Sequence, residues 1–211
     1  RINSGIQQIS VLTSPERFSC LHDCAYCPDF KGMPRSYIPE EPACRRASQN
    51  DFDAARQFWD RASGYSMAGH SVDKIELIVL GGTWDNYDWN YRKEFIRDLF
   101  YAANTFYQVE KRERLSLLEE QHINESALCK VIGLTIETRP DYCNKAEYIK
   151  SYIELGVTRI QFGVQSIYDD VLKLIDPSSF SVRTPVFKKI LATGVPFHNP
   201  YNPPNSACLS G

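Results

Sequence analysis

No stretch of this sequence approaches the run of about 18 apolar residues that a membrane-crossing helix requires, and neither end carries a basic segment followed by an apolar core and a small-residue cleavage site. The expectation is a soluble, intracellular protein. An excess of either charge is also missing. The 24 lysines and arginines against 26 aspartates and glutamates leave a formal charge of -2, so no global field announces nucleic acid as a partner, while a local basic face remains compatible with the balance. There is no internal repeat, and no low-complexity tract ahead of the proline- and asparagine-rich "PFHNPYNPPNSACLSG" at 196–211. The evenly spread cysteine framework of a secreted scaffold is absent too: the count of seven is odd, and three of them fall within residues 20–27. A reducing compartment is expected, in the cytoplasm and also the nucleus.

The chain does have enough material for one domain. It has 211 residues, 43% of them hydrophobic and 12% aromatic, which argues against disorder. It opens on Arg1 and reads as a piece of a longer protein. Residues 1–195 are expected to form the domain, and 196–211 a loop-like or disordered tail.

Strand and helix patterns alternate. "KIELIVLGG" (74–82), "KVIGLTIET" (130–138) and "TRIQFGVQS" (158–166) are apolar, β-branched runs, as expected of strands buried on both faces; "IQQISVLTS" (6–14) is a weaker fourth. Between them, "DFDAARQFWDRASGYSMAG" places Phe52, Ala55, Phe58, Trp59 and Ala62 on one side, with Asn50 or Asp51 as cap and Gly69 as stop. "YRKEFIRDLFYAANTFY" puts Phe95, Leu99 and Ala102 at helical spacing, and "EKRERLSLLEEQ" reads as a solvated helix face. Asn144 and Glu147 resemble a capping box opening "KAEYIKSYIEL", and "TPVFKKILATG" closes the series with Pro185 in its first turn. This alternation predicts an α/β fold, a parallel sheet open or curved into a partial barrel, with chemistry at the carboxyl ends of the strands. The cysteine loop, Gly81, Gly82, Glu137, Arg139 and Gln165 all fall there.

In "CLHDCAYC" (20–27), Cys20, Cys24 and Cys27 stand at intervals of four and three. Three thiolates from one short loop suit three irons of a four-iron, four-sulfur cluster, leaving the fourth iron open to another ligand. Two other readings stand on spacing alone: a zinc site completed by His22, and unliganded thiols. Cys44, Cys129, Cys143 and Cys208 read as small buried or incidental residues. His70, His122 and His198 show no metal-ligand spacing.

CxxxCxxC with Tyr26 before the third cysteine resembles the signature of the radical S-adenosylmethionine enzymes. "RSYIPEEPACRRA" (35–47), "GHSVDKIELIVLGGTW" (69–84), "IGLTIETRPDYC" (132–143) and "TRIQFGVQSIYDD" (158–170) together are similar to the radical domain of the Elongator catalytic subunit family, which modifies tRNA wobble uridine. The similarity runs from about Gly5 to Ile175. It implies a partial (β/α) barrel of the radical type, a 4Fe-4S cluster on Cys20, Cys24 and Cys27, and S-adenosylmethionine on its open iron, with Tyr26 beside the adenine. One electron from the cluster would then yield a 5′-deoxyadenosyl radical.

The resemblance further implies that Gly81, Gly82 and Thr83 receive the amino group of S-adenosylmethionine through the main chain, where glycine permits close approach. Glu137 and Arg139 would face the ribose and the methionine carboxylate, which an arginine can grip bidentately; Gln165 would lie near the cofactor. The bland readings are strand-ending glycines, a surface Glu137–Arg139 pair and a structural hydrogen bond at Gln165. Arg35, Arg45 and Arg46 with Tyr37 form a candidate RNA-contacting group, against ordinary surface pairing for the arginines.

The chain departs from that family where "CPDF" follows the third cysteine in place of Pro-Gly-Gly, and where "DPSSFSVRT" stands downstream of "GVQS". No segment resembling an acetyl-CoA site is found, so acetyl-CoA is implied only through an acetyltransferase domain absent from these residues. The implied role is carboxymethyl-type modification at C5 of the wobble uridine, with tRNA and other Elongator subunits as partners. Two rivals are a radical enzyme for another substrate and a catalytically silent truncated module that binds tRNA or Elongator partners.

Overall fold

The computed structural model describes residues 5–175 apart from Leu21, Asp23, Tyr26, Asn144, Val164 and Ile167. The expected helix at 184–194, the tail at 196–211 and Cys208 lie outside the described residues.

Four strands form one parallel sheet in chain order: β1 (Gln7–Leu12), β2 (Lys74–Leu80), β3 (Lys130–Thr138) and β4 (Arg159–Phe162). Ile9 stands opposite Leu77, Leu77 opposite Leu134, and Ile136 opposite Ile160. Parallel neighbours in sequential order require every connection to cross over one face, and helices make those crossings. They are α1 (Pro42–Gln49) and α2 (Ala54–Met67) after β1, α3 (Trp89–Thr105) and α4 (Leu117–Asn124) after β2, and α5 (Ala146–Glu154) after β3; α6 (Asp169–Ile175) follows β4. This is the expected α/β architecture, a partial barrel with its helices outside.

The strands are not buried on both faces as their composition suggested. Ile9 and Val11, Ile75, Leu77 and Val79, and Leu134 and Ile136 are buried against Phe58 and Ala62 of α2 and Phe95, Ile96 and Leu99 of α3. Each fully buried side chain of this size contributes roughly 1.5–3 kcal/mol. The alternate residues form the inner face, where Gln8 donates to Glu76 at 2.9 Å, Arg159 pairs with the same carboxylate, and Glu137 stands opposite Gln161. Helices α2 and α3 cover one face along its length, while on the other face the strand ends are packed, Leu12 and Leu80 against Cys44 and Ala47 of α1. A bulge at Ile132, the extra residue between the Ile75–Val131 and Glu76–Gly133 pairs, leaves that isoleucine half exposed.

Several local expectations are corrected. The cap of α2 is Asp53, which accepts from the Arg56 amide at 2.8 Å, because Asn50 and Asp51 are taken up in ending α1, a short helix that opens on Pro42. Phe52 consequently lies off the α2 stripe and packs near Leu12, Cys44 and Ala47. The charged run at 110–121 is not one solvated helix face. Only its end is helical, opened by a Ser116–Glu119 capping box, and Glu120 is fully buried, gripped by Arg112 at 2.7 Å and by Asn104 at 2.8 Å. The Asn144 cap lies outside the described residues, and Lys145 occupies the N-cap of α5 without a side-chain bond.

Candidate functional site

The carboxyl ends of β1, β2 and β3 are tied to one another before any ligand is considered. Thr13, just past β1, shares a 2.5 Å hydrogen bond with the Tyr87 hydroxyl, and its amide donates to the Leu80 carbonyl at 3.1 Å. Gly81 sits in that junction with φ +133°, and a Cβ there would fall 1.8 Å from the Thr13 hydroxyl oxygen. Its bare backbone therefore serves the approach of Thr13. Gly82, at φ +84°, borders Phe18 and the Arg35 carbonyl, which a Cβ would meet at 3.3 Å. Thr83 follows, half-buried, at the N-cap of a 3-10 turn.

The cysteine loop leaves β1 past Phe18, whose ring packs on Tyr87 with centroids 5.1 Å apart. Arg35 reaches back into the loop and donates to the His22 carbonyl at 2.9 Å. The Cys27 amide donates to the Cys24 carbonyl at 3.0 Å, and the Ala25 amide to the carbonyl of Ile175 at the end of α6. Cys20, Cys24 and Cys27 are not in disulfides and are partly accessible. Tyr26 lies outside the described residues.

At the end of β3, Glu137 and Arg139 do not pair with each other, contrary to the surface-pair reading. Glu137 faces inward and accepts from the Tyr37 hydroxyl at 2.6 Å. Burial lifts its carboxyl above the usual range and the Glu41 charge adds to the rise, against the lowering by Tyr37. Arg139 is buried and held side-on by Asp141, with Nε 3.0 Å and NH2 3.0 Å from Oδ2. Its NH1 points at the Cys24 sulfur, 4.0 Å away. Gln165, beyond β4, stands in the left-handed region at φ +68°.

A residue that sequence reasoning missed holds this end of the sheet together. The Asp85 side chain is fully buried and accepts from Arg92 of α3 at 2.9 Å, from Thr138 of β3 at 2.5 Å and from Tyr152 of α5 at 2.5 Å. Burial pushes its carboxyl up, against the lowering by these three donors. The one signal available was a carboxylate immediately after "GGTW", seven residues ahead of an arginine. Asp141 lay in "TRPDYC" without having been singled out.

The candidate RNA-contacting group is dispersed. Arg46 turns inward to the Ser10 carbonyl at 2.9 Å, Arg35 serves the cysteine loop, and Tyr37 packs near Leu12 with its hydroxyl on Glu137. Of the four, only Arg45 is exposed. Tyr37 is fastened to β3, Arg46 to β1 and Arg35 to the cysteine loop, which is why the four side chains do not form one basic face.

The family model described as the Radical SAM superfamily matches residues 18–205. The chain belongs to the radical SAM superfamily. This radical SAM chain is 41% identical over 176 residues to the tRNA uridine(34) acetyltransferase of Dehalococcoides mccartyi, a match covering 83% of the chain and 36% of that protein. It is 37% identical to human Elongator complex protein 3, over 82% of the chain and 32% of the relative. Among solved structures, the archaeal Methanocaldococcus infernus Elp3 with an N-terminal deletion superposes with a TM-score of 0.60 at 34% identity, covering 81% of the chain and 31% of its own. The chain spans about a third of the length of the curated relatives it matches.

The superfamily implies S-adenosylmethionine and a 4Fe-4S cluster. Among the described residues no three histidine, cysteine or acidic side chains are gathered closely enough to hold a metal ion. The donor chemistry nevertheless fits: three reduced, accessible thiols share one tethered loop, and a buried guanidinium faces one of them. Soft thiolate donors are the ligands iron–sulfur clusters take.

Proposed function

We propose that this chain is the cluster- and S-adenosylmethionine-binding part of an enzyme that modifies the wobble uridine of tRNA. The observation that carries the reading is the tethered loop of Cys20, Cys24 and Cys27 at the carboxyl ends of parallel strands, next to Gly82 and Arg139. Relatives named tRNA uridine(34) acetyltransferase and Elongator complex protein 3 support this choice of reaction and substrate class.

In this reading Cys20, Cys24 and Cys27 would hold three irons, and Tyr26 is carried over from the family resemblance as the residue for the adenine. When bound, cluster and cofactor supply one-electron cleavage of a sulfonium, and with it abstraction of a hydrogen atom from an unreactive carbon. The main chain of Gly82 and Thr83 would receive the cofactor, the half-buried Glu137 carboxyl would offer a hydrogen-bonding group to its ribose, and Gln165 would lie near it. Acetyl-CoA would be handled outside these residues, and tRNA and other Elongator subunits would be contacted by the whole protein.

Anaerobic reconstitution with iron and sulfide, followed by electron paramagnetic resonance of the reduced protein with and without S-adenosylmethionine, tests this. A four-iron signal that changes on adding the cofactor is expected. A protein that loads no cluster, or a signal blind to the cofactor, refutes the reading.

A further inference from the structure

The side-on grip of Asp141 on Arg139 uses Nε and NH2, one edge of the guanidinium, and this leaves the NH1 corner turned to Cys24. The arrangement is fixed at both ends. Thr138, the preceding residue, is tied to Asp85, while the Arg139 carbonyl accepts from the Tyr142 amide at 3.2 Å and from the Cys143 thiol at 3.8 Å. The side chains of Arg139 and Asp141 are 8% and 16% exposed, so solvent screens their charges little. A guanidinium committed in this way is aimed at a sulfur, while the carboxylate that neutralises part of its charge holds the opposite edge.

We propose that Arg139 is a positioning residue for the cluster, one that sets its reduction potential through Cys24. This rests on the reading above. Adding an electron makes the cluster more negative, so a fixed positive charge beside one ligand sulfur favours the reduced state; charge and hydrogen bonds to the sulfurs are the means by which a protein adjusts such potentials. Arg139 thereby takes a different task from gripping the methionine carboxylate of the cofactor. Asp141 moderates it: the pair presents its positive end to Cys24 and its negative end away.

The test uses the full chain, reconstituted anaerobically, with midpoint potentials read by electron paramagnetic resonance and cofactor affinity measured separately on the oxidised cluster. Arg139→Gln is expected to keep its iron and to show about a tenfold lower ratio of reduced to oxidised cluster at fixed potential, about 59 mV for one electron. Asp141→Asn keeps the guanidinium and removes the charge that offsets it, so its potential is expected to move the other way. Arg139→Gln with normal iron, an unchanged potential and weakened cofactor binding would overturn the proposal and return Arg139 to the carboxylate, leaving the proposed function intact. Should Arg139→Gln load no cluster, Asp141→Asn decides, and an unchanged potential there overturns the proposal. A wild-type chain that takes up no cluster overturns both.

Discussion

Asp85 accepts a 2.5 Å hydrogen bond from Thr138, and this contact joins the loop after β2 to the last residue of β3. The residues that follow Thr138 are Arg139 and the turn containing Asp141, and the residues that precede Asp85 are Gly81, Gly82 and Thr83. One buried carboxylate thus sets the spacing between the two strand ends that flank the cysteine loop. The remaining donors, Arg92 and Tyr152, connect the same point to the two helices behind it.

Replacing Asp85 with asparagine leaves Arg92, whose side chain is 10% exposed, as a buried cation without its counter-charge. Breaking a buried pair from one side costs about 3–5 kcal/mol. Tyr152→Phe removes a single hydrogen bond to a charged group, worth about 1.5–3 kcal/mol. Urea unfolding of both variants measures the difference, and an Asp85→Asn protein as stable as wild type would deny Asp85 its joining role.

Gly81→Ala puts a methyl group into the space of the Thr13 hydroxyl, at a φ that side chains rarely adopt. Overpacking of this kind costs typically about 1–3 kcal/mol. Removing the obstructing oxygen with Thr13→Ala is expected to make the double variant less destabilised than the sum of the singles, by about 0.5–3 kcal/mol. Strict additivity of the two unfolding free energies would show that strain at φ, and not Thr13, demands the glycine.

β2 and β3 were legible because each is rich in β-branched and leucine residues and β2 stops at two glycines, and β3 was read to the residue; β1 and β4, with more polar residues, gave a weaker signal. The cysteine loop was legible because its spacing is local. What escaped was nonlocal. Asp85 finds Thr138 and Tyr152 at separations of 53 and 67 residues, and no pattern within a short window announces such partners. The charge of Glu120 misled for a related reason: a run of acidic and basic residues reads as solvated until Arg112 and Asn104 fold over one of them. Arg46 and Tyr37 look available for a ligand in sequence, but β1 takes up the first and β3 the second.

The Glu137 carboxyl is raised first by burial, so between the ordinary glutamate value of about 4.3 and its raised one the folded chain holds a proton that the unfolded chain has lost. The folded state then binds more protons, and unfolding free energy falls as pH rises through that window. Glu137→Gln lacks this loss. The stability of wild type relative to Glu137→Gln is therefore expected to decline with pH from about 4 upward and to level off above the raised value. Urea midpoints of both proteins across that range check it, and parallel curves would show that Glu137 ionises as an ordinary surface glutamate does.

Iron content separates the ligand cysteines from the rest. Cys129, just ahead of β3, is buried, and burial pushes its thiol up to about 12, which disfavours the thiolate that a metal requires. Burial pushes the Cys143 thiol, beneath Arg139, up to about 12 as well. Cys24 instead lies in the accessible loop with a guanidinium beside it. Cys24→Ala is therefore expected to lose most of the iron taken up on anaerobic reconstitution, and Cys129→Ala to keep it, with unfolding by urea confirming that both variants are folded. Equal iron in the two would remove Cys24 from the ligand set and, with it, the reason for a cation to face that sulfur.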